Sequence, residues 1–144
     1  LGLFGVIHPF DGKVFAQAPN GGAAELDAAV KAAQGAGAPQ VSVLRCNSTY
    51  PANSSEMDLA AIPAMIAQWG IPVGLSDHTM TSVTAISAVA LGATIIEKHI
   101  TLDQKMDGPD HRASSEESEF HDLILGIKKI ELALVRKHPA FRQK

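Results

Sequence analysis

The sequence predicts an α/β fold in which short parallel strands alternate with helices. Short apolar runs rich in β-branched residues alternate with longer segments whose apolar residues recur every three or four positions. The strands are continuous apolar runs, as in sheets that are buried on both faces, and glycine follows most of the helical segments. This pattern is typical of half of a (β/α)₈ barrel and of a small open doubly wound sheet, and periodicity does not separate the two.

Four βα units are expected, at about residues 13–37, 41–70, 71–92 and 93–137. The first contains an apolar run at 13–17, a Pro-Asn-Gly-Gly turn and a helix over residues 23–34. Leu26, Val30 and Ala33 recur at helical spacing along that segment, and the glycines that follow it end the helix.

The second unit begins with a strand over residues 41–46, followed by a polar loop in which Pro51 excludes regular structure. A helix is expected from Ser55 to Trp69, with Ser54 or Ser55 as its N-cap and a glycine at its end.

The last two units are predicted from the same alternation. A strand over residues 71–75 precedes a helix over 81–91, and a strand over 93–99 precedes a polar loop and a long amphipathic helix over 116–135.

Composition and charge exclude several classes of protein. The 144 residues carry a formal charge of −3 with mixed signs, and no basic stripe of the kind that binds nucleic acid is present. No apolar run approaches the roughly 18 residues of a membrane span. Cys46 is the single cysteine, which favours a cytoplasmic protein without disulfides. The opening residues lack a signal-peptide pattern and an initiator Met, so we expect a processed or truncated piece of something longer.

Polar residues gather where the predicted strands end, which is where parallel α/β folds place their functional sites. They are Asn47, Ser48, Thr49 and Tyr50 after the second strand, Ser76, Asp77 and His78 after the third, Glu97, Lys98 and His99 at the fourth, and Asp103, Asp107, Asp110 and His111 in the next loop.

His78 and His99 are the candidate metal ligands. One histidine at a strand end is more often a structural residue, but two on adjacent parallel strands, about 4.8 Å apart, can converge on one divalent ion. With the nearby carboxylates of Asp77, Glu97 and Asp110, the pattern indicates a mixed nitrogen and oxygen site for Mn²⁺ or Mg²⁺.

The remaining polar strand-end residues have structural alternatives. Ser48 and Ser76 end neighbouring strands and could hold a phosphate, but the residues alone favour ordinary helix capping. Lys98 alternates with its neighbours along the strand, so it should point to the opposite face as a structural charge partner.

The paired motifs of the strand ends resemble the sialic acid synthase family. The similar segments span roughly residues 23 to 135, and they are Cys46-Asn47-Ser48-Thr49-Tyr50-Pro51, Gly74-Leu75-Ser76-Asp77-His78-Thr79, the run from Gly92 to Asp103, and the run from Asp107 to Ser114. Members of this family make N-acetylneuraminate, legionaminate or pseudaminate, or act in spore-coat polysaccharide synthesis.

The resemblance implies a (β/α)₈ barrel that condenses phosphoenolpyruvate with an aldehyde-form, N-acylated amino sugar and releases phosphate. The implied roles are a metal site at His78 and His99 for Mn²⁺ (Mg²⁺ or Co²⁺ being alternatives), water activation at Glu97, phosphate contacts at Ser76 and Ser48, a sugar or water contact at Asp110, and a sugar-pocket wall at Tyr50.

The sequence departs from the family pattern in two respects. Gln17-Ala18-Pro19 stands where the family has a Ser-Thr-Gly turn at the phosphate. Four strands are also half of a barrel of about 250 residues, and we expect the antifreeze-like domain that usually follows in the family to be absent. Exposed strand edges then predict a homo-oligomer or association with the missing half. Two alternatives remain: an inactive remnant that acts in binding or assembly, and another phosphoenolpyruvate-using or aldolase-type enzyme.

Overall fold

A computed structural model describes residues 3–7, 14–19 and 23–135 of the chain. The chain divides into two compact units, Leu1–Val41 and Ser42–Lys144. The strand-end motifs that begin at Cys46 all lie in the second unit.

The first unit contains an antiparallel strand pair and a helix. Strand β1 (Leu3–Ile7) pairs with β2 (Val14–Pro19), and helix α1 follows at Ala23–Gly35. The predicted strand and helix are therefore present. Strand β2 pairs with β1, a strand that the sequence did not predict, and this pair is antiparallel because the six residues between the two strands are too few for the crossover that a parallel pair needs.

The second unit is a three-stranded parallel sheet with helices. Its strands are β3 (Val43–Cys46), β4 (Val73–Asp77) and β5 (Ile95–Lys98), which lie in that order, and its helices are α2 (Ala61–Trp69), α3 (Val83–Ala90) and α4 (Glu117–Leu134). The α/β class is confirmed. Within the described residues the parallel sheet has three strands, so the count of four parallel units is not confirmed.

The hydrophobic core of the second unit lies against one face of β4. Val73 and Leu75 are buried there, together with Ala52, Met57, Ile62, Ala88 and Ala93. On α4, Gly126 lies against Ile86 of α3, where an added Cβ would collide with the Ile86 side chain. These contacts place the core on one face of the sheet. Ser76 and Glu97 lie on the opposite face.

Helix α2 begins later than the sequence predicts. Instead of a helix from Ser55, the chain makes a short 3₁₀ turn at Ser54–Glu56, whose N-cap is Asn53. Asp58 then adopts a left-handed conformation with φ 48°, which interrupts any helix. The prediction of Ser54 or Ser55 as the N-cap is wrong, because the Asn53 side chain accepts the hydrogen bond from the Ser55 amide. Gly70, with φ 61°, ends α2 as predicted.

Helix α4 starts with a reciprocal hydrogen-bonded cap. The Glu116 side chain accepts from the backbone of the first turn, and the Glu119 side chain accepts from the Glu116 amide at 2.9 Å. In the described residues, no helix is both long and apolar enough to cross a membrane.

Candidate functional site

The site is built on the face of the sheet opposite the core. Val73 and Leu75 point toward the core, so Gly74 and Ser76 of the same strand point to the other face. Cys46, Ser76 and Glu97 are register partners across the three strands and form one polar row on that face.

An apolar row lies one step earlier along the strands and supports the polar one. Leu44, Gly74 and Ile95 are register partners, and a Cβ at Gly74 would overlap both Leu44 and Ile95. The residues of the two flanking strands therefore close over the glycine.

Ser76 and Glu97 are joined by a direct hydrogen bond. The Ser76 hydroxyl donates to Glu97 Oε1 at 2.6 Å, in a partly buried setting. A hydroxyl has one hydrogen to donate, so in this arrangement Ser76 orients the carboxylate and offers a ligand only its oxygen lone pairs.

His78, His99 and Tyr50 form an aromatic cluster. The ring centroids of the two histidines are 5.3 Å apart in an edge-on arrangement. Tyr50 lies 4.1 Å from the His78 ring and 5.5 Å from the His99 ring. The sequence-predicted histidine pair is therefore brought together.

The His78 ring is fixed by the loop that follows β3. Its Nδ1 lies 2.7 Å from the Asn47 carbonyl oxygen, which can only accept, so Nδ1 carries the hydrogen. The Ala52 amide in turn donates to the His78 carbonyl at 2.8 Å. A histidine that donates one ring N–H to a backbone carbonyl presents its other nitrogen, here Nε2, as a ligand.

Asp110 lies beside His99 at the edge of the cluster. Its Oδ2 is 3.9 Å from His99 Nδ1, which is an electrostatic contact and longer than a hydrogen bond. More than half of the Asp110 side chain is exposed. The carboxylate can therefore contact both His99 and a ligand bound beside it.

The donor set suits a divalent ion held by two imidazoles. Within the described residues, no group of three or more histidine, cysteine or carboxylate side chains is placed to hold a metal. A metal at His78 and His99 would complete its coordination with water or substrate oxygens, which Mn²⁺ and Co²⁺ accept beside imidazole.

Asp77 does not join that site. Its side chain is fully buried toward the core face, where Oδ2 pairs with Lys98 Nζ at 2.9 Å and Oδ1 accepts from the Thr79 amide and hydroxyl. The inclusion of Asp77 among candidate metal ligands is thus corrected, because the residue precedes His78 and points the opposite way. The prediction of Lys98 as a structural charge partner is confirmed.

Ser48 is exposed, and its hydroxyl lies 3.8 Å from the Cys46 thiol. The capping bonds of this loop come instead from Asn47 and Asn53, whose side chains accept from the Thr49 and Ser55 amides.

Sequence reasoning missed Cys46 and the Asn47 carbonyl as parts of the site. Strand alternation from Ser48 back to Cys46 would have found the first, whereas a backbone carbonyl leaves no signal in the sequence.

The Tyr50 phenol is perturbed by its surroundings. Burial is the main cause that raises its pKa above 10.0, followed by the nearby Cys46, Asp110 and Glu97 groups, whose negative charges oppose a second negative charge. Nearly half of the side chain is exposed, which limits the size of the shift. The phenol therefore stays protonated and able to donate a hydrogen bond throughout the neutral range.

Tyr50 is the only tyrosine in this sequence, so its ionisation can be followed by ultraviolet absorbance. The difference between wild type and Tyr50→Phe should show a midpoint above that of free tyrosine, and Asp110→Asn should lower it. Since the Tyr50 pKa is higher in the folded state than in the unfolded state, the contribution of Tyr50 to the free energy of unfolding is fully present below about pH 10. It is lost as the pH rises through the folded-state pKa. A midpoint at or below that of free tyrosine would contradict the described environment.

The fold and site define an α/β protein with an imidazole pair at the carboxyl ends of adjacent parallel strands. The chain belongs to the NeuB family, whose family model matches residues 20–139. The resemblance to sialic acid synthases in the strand-end motifs is thereby confirmed.

Known proteins similar to this chain include synthases of related acidic sugars. The N,N'-diacetyllegionaminic acid synthase of Campylobacter jejuni is 42% identical over 100 residues, which are 69% of this chain and 30% of that protein. The chain spans about a third of the length of the curated relatives it matches.

Solved structures resemble the fold over most of the chain. The N-acetylneuraminic acid synthetase of Leptospira borgpetersenii, crystallised with citrate, aligns with a TM-score of 0.77 and 32% identity, covering 83% of this chain and 42% of that one. The spore coat polysaccharide biosynthesis protein spsE of Bacillus subtilis aligns with a TM-score of 0.75 and 32% identity, covering 78% and 32%.

Proposed function

We propose that the complete protein is a cytoplasmic, metal-dependent enzyme that condenses phosphoenolpyruvate with an N-acylated amino sugar and releases inorganic phosphate. The observation that carries this proposal is the cluster of His78, His99 and Tyr50 at the strand ends, with the Ser76–Glu97 pair one step below it. Membership of the NeuB family and the named relatives support it.

His78 and His99 would hold the divalent ion, Mn²⁺ being preferred and Mg²⁺ or Co²⁺ being alternatives. When bound, such an ion supplies Lewis acidity toward the aldehyde oxygen of the sugar. The Asn47 carbonyl keeps His78 in the tautomer whose Nε2 lone pair faces away from the loop.

Glu97 is the proposed general base. A carbon–carbon bond forms between the methylene carbon of phosphoenolpyruvate and the aldehyde carbon, whose oxygen takes up a proton and becomes a hydroxyl. Water then adds to the former enol carbon and transfers a proton to Glu97, which the Ser76 hydroxyl holds in place. The new hydroxyl then becomes the ketone oxygen of the product as the carbon–oxygen bond to phosphate breaks, and phosphate leaves with the electron pair of that bond and takes up the hydroxyl proton. The proton held by Glu97 balances the one taken up by the sugar oxygen.

Ser76 and Ser48 are the proposed hydrogen-bond donors to the phosphate group. Ser76 donates its hydrogen to Glu97, so it must rotate before it can donate to phosphate. Ser48 is exposed beside the same row, so it is the better placed donor before such a rotation.

Tyr50 and Asp110 are the proposed sugar contacts. The protonated Tyr50 phenol can donate to a sugar oxygen, while the Asp110 carboxylate can accept from a sugar hydroxyl or a water.

The outer edges of β3 and β5 are proposed to pair with strands beyond this three-stranded sheet. Such strands would belong to the same polypeptide or to a second copy, and either would cover the polar row. The length of the relatives favours the same polypeptide.

The test is phosphate release by the complete gene product. With phosphoenolpyruvate, Mn²⁺ and N-acetylmannosamine or a diacetylated bacillosamine-derived sugar, we expect phosphate release that stops when either sugar or metal is withheld. Glu97→Gln should reduce the rate by roughly 10²- to 10⁴-fold while Mn²⁺ binding persists. Release without any sugar, or Mn²⁺ binding without release for every amino sugar tried, would count against condensation, and the second result would favour a binding role.

A further inference from the structure

The loop between β5 and α4 is organised around His111, a residue to which the proposed reaction gives no role. The Thr101 hydroxyl and His111 Nδ1 are 2.7 Å apart. Thr101 is buried, and His111 is only partly exposed. This hydrogen bond joins the middle of the loop to its first residues.

The first residues of the loop are themselves fixed to the end of β5. The Ser115 amide donates to the His99 carbonyl at 2.9 Å, and the Thr101 amide donates to the Ser115 carbonyl at 2.9 Å. Thr101 is therefore held in place at the end of the sheet, and its hydrogen bond to His111 fixes that part of the loop relative to the sheet.

The other edge of the His111 ring is covered by Gly108. A Cβ added at Gly108 would lie 2.8 Å from His111 Cδ2 and 3.1 Å from Nε2, and the glycine has φ 146°. Only a residue without a side chain fits there. The imidazole is thus held from both sides, by a hydroxyl at one nitrogen and by backbone at the opposite edge.

Asp110, directly before His111, depends on this arrangement. Its carbonyl accepts from the Ala113 amide at 3.0 Å and from the hydroxyl of the buried Ser114 at 2.7 Å. Its carboxylate, by contrast, has the 3.9 Å contact with His99 as its closest described ion-pair contact, and no hydrogen bond among the described residues fixes it. The place of that carboxylate is therefore set by its backbone.

We propose that His111 is a positioning residue that holds the Asp110 carboxylate beside His99. The identity of the ligand that Asp110 meets there, an N-acylated amino sugar, rests on the proposed function. Without the His111 ring, the segment between Thr101 and Ser114 keeps the hydrogen bond from Gln104 Nε2 to the Ser114 carbonyl but loses the side-chain bond that fixes the residue next to Asp110, so Asp110 is free to move away from His99.

The test is a double-mutant cycle between positions 111 and 110 in the complete gene product. His111→Ala should raise the KM for the amino sugar about tenfold, with the KM for phosphoenolpyruvate unchanged. His111→Asn, whose amide can reach the Thr101 hydroxyl, should restore most of the loss. In an Asp110→Ala background, His111→Ala should add less than about a twofold effect. His121→Ala, on the exposed face of α4, is the matched control.

Equal losses in both backgrounds, or equal changes in the KM of both substrates, would overturn the proposal in favour of general loop damage. Hydrogen exchange supplies a readout that does not depend on activity. His111→Ala should speed exchange of the amides between residues 101 and 115 and leave those of β3 and β4 unchanged. Absence of activity with any sugar would count against the proposed function, and unchanged exchange in this loop would count against the role of His111.

Discussion

Replacing His99 by Ala is expected to weaken Mn²⁺ binding by at least about 100-fold and to abolish phosphate release. Loss of a mere supporting partner of a metal ligand costs 10- to 100-fold in affinity, so loss of one of two imidazoles should cost at least the upper end. His78 and His99 are the proposed ligands, and their ring centroids lie 5.3 Å apart. Titration calorimetry with MnCl₂ on the complete gene product measures the affinity directly.

The matched control is His121→Ala, the same chemical change on the surface of α4. It should leave Mn²⁺ affinity and phosphate release within about twofold of wild type, because surface substitutions away from a site have small effects. Circular dichroism should show that both variants keep the fold. If His99→Ala binds Mn²⁺ as tightly as wild type, the ion is held elsewhere and the imidazole pair is not the metal site.

The sequence predicts the strand-end placement of the site because that placement follows from chain order. In a parallel sheet every strand ends at the same edge, so polar residues after β3, β4 and β5 must meet there. The pairing of Ser76 with Glu97, and of Asp77 with Lys98, then follows from alternation along two adjacent strands.

Alternation also explains the error at Asp77. A carboxylate next to a candidate metal-binding histidine suggests a further metal ligand. Asp77, however, is one position before His78, and neighbouring residues of a strand point to opposite faces of the sheet. Applied to Asp77 as it was to Lys98, the same reasoning places both on the core face, where they form an ion pair.

Two other features depend on contacts that single-sequence patterns do not contain. Asp58 adopts a left-handed conformation beside the buried Met57 side chain, so the helix expected from Ser55 begins at Ala61. The antiparallel partner of β2 lies in an opening segment for which the sequence predicted no strand. The start of α2 is set by the packing around Met57, which the helical pattern does not contain. The antiparallel pairing of β1 with β2 is set by the short connection between them.

Lys98→Met is expected to lower the free energy of unfolding by about 3–5 kcal/mol, the usual cost of removing one member of a buried ion pair. The Lys98 and Asp77 side chains are 4% and 0% exposed, and Lys98 Nζ also donates to the Thr79 carbonyl at 2.6 Å. The variant leaves a buried carboxylate without its cation and a carbonyl without its donor. Urea unfolding followed by circular dichroism measures the loss.

Two variants separate burial of the charge from loss of the lysine as such. Lys31→Met breaks an exposed pair with Asp27 on α1, and it should cost no more than about 0.5 kcal/mol. Adding Asp77→Asn to Lys98→Met removes the uncompensated charge, so the double variant should be more stable than Lys98→Met alone. A double variant less stable than the single one would mean that the Asp77 carboxylate stabilises the fold through its bonds to Thr79 rather than through the lysine.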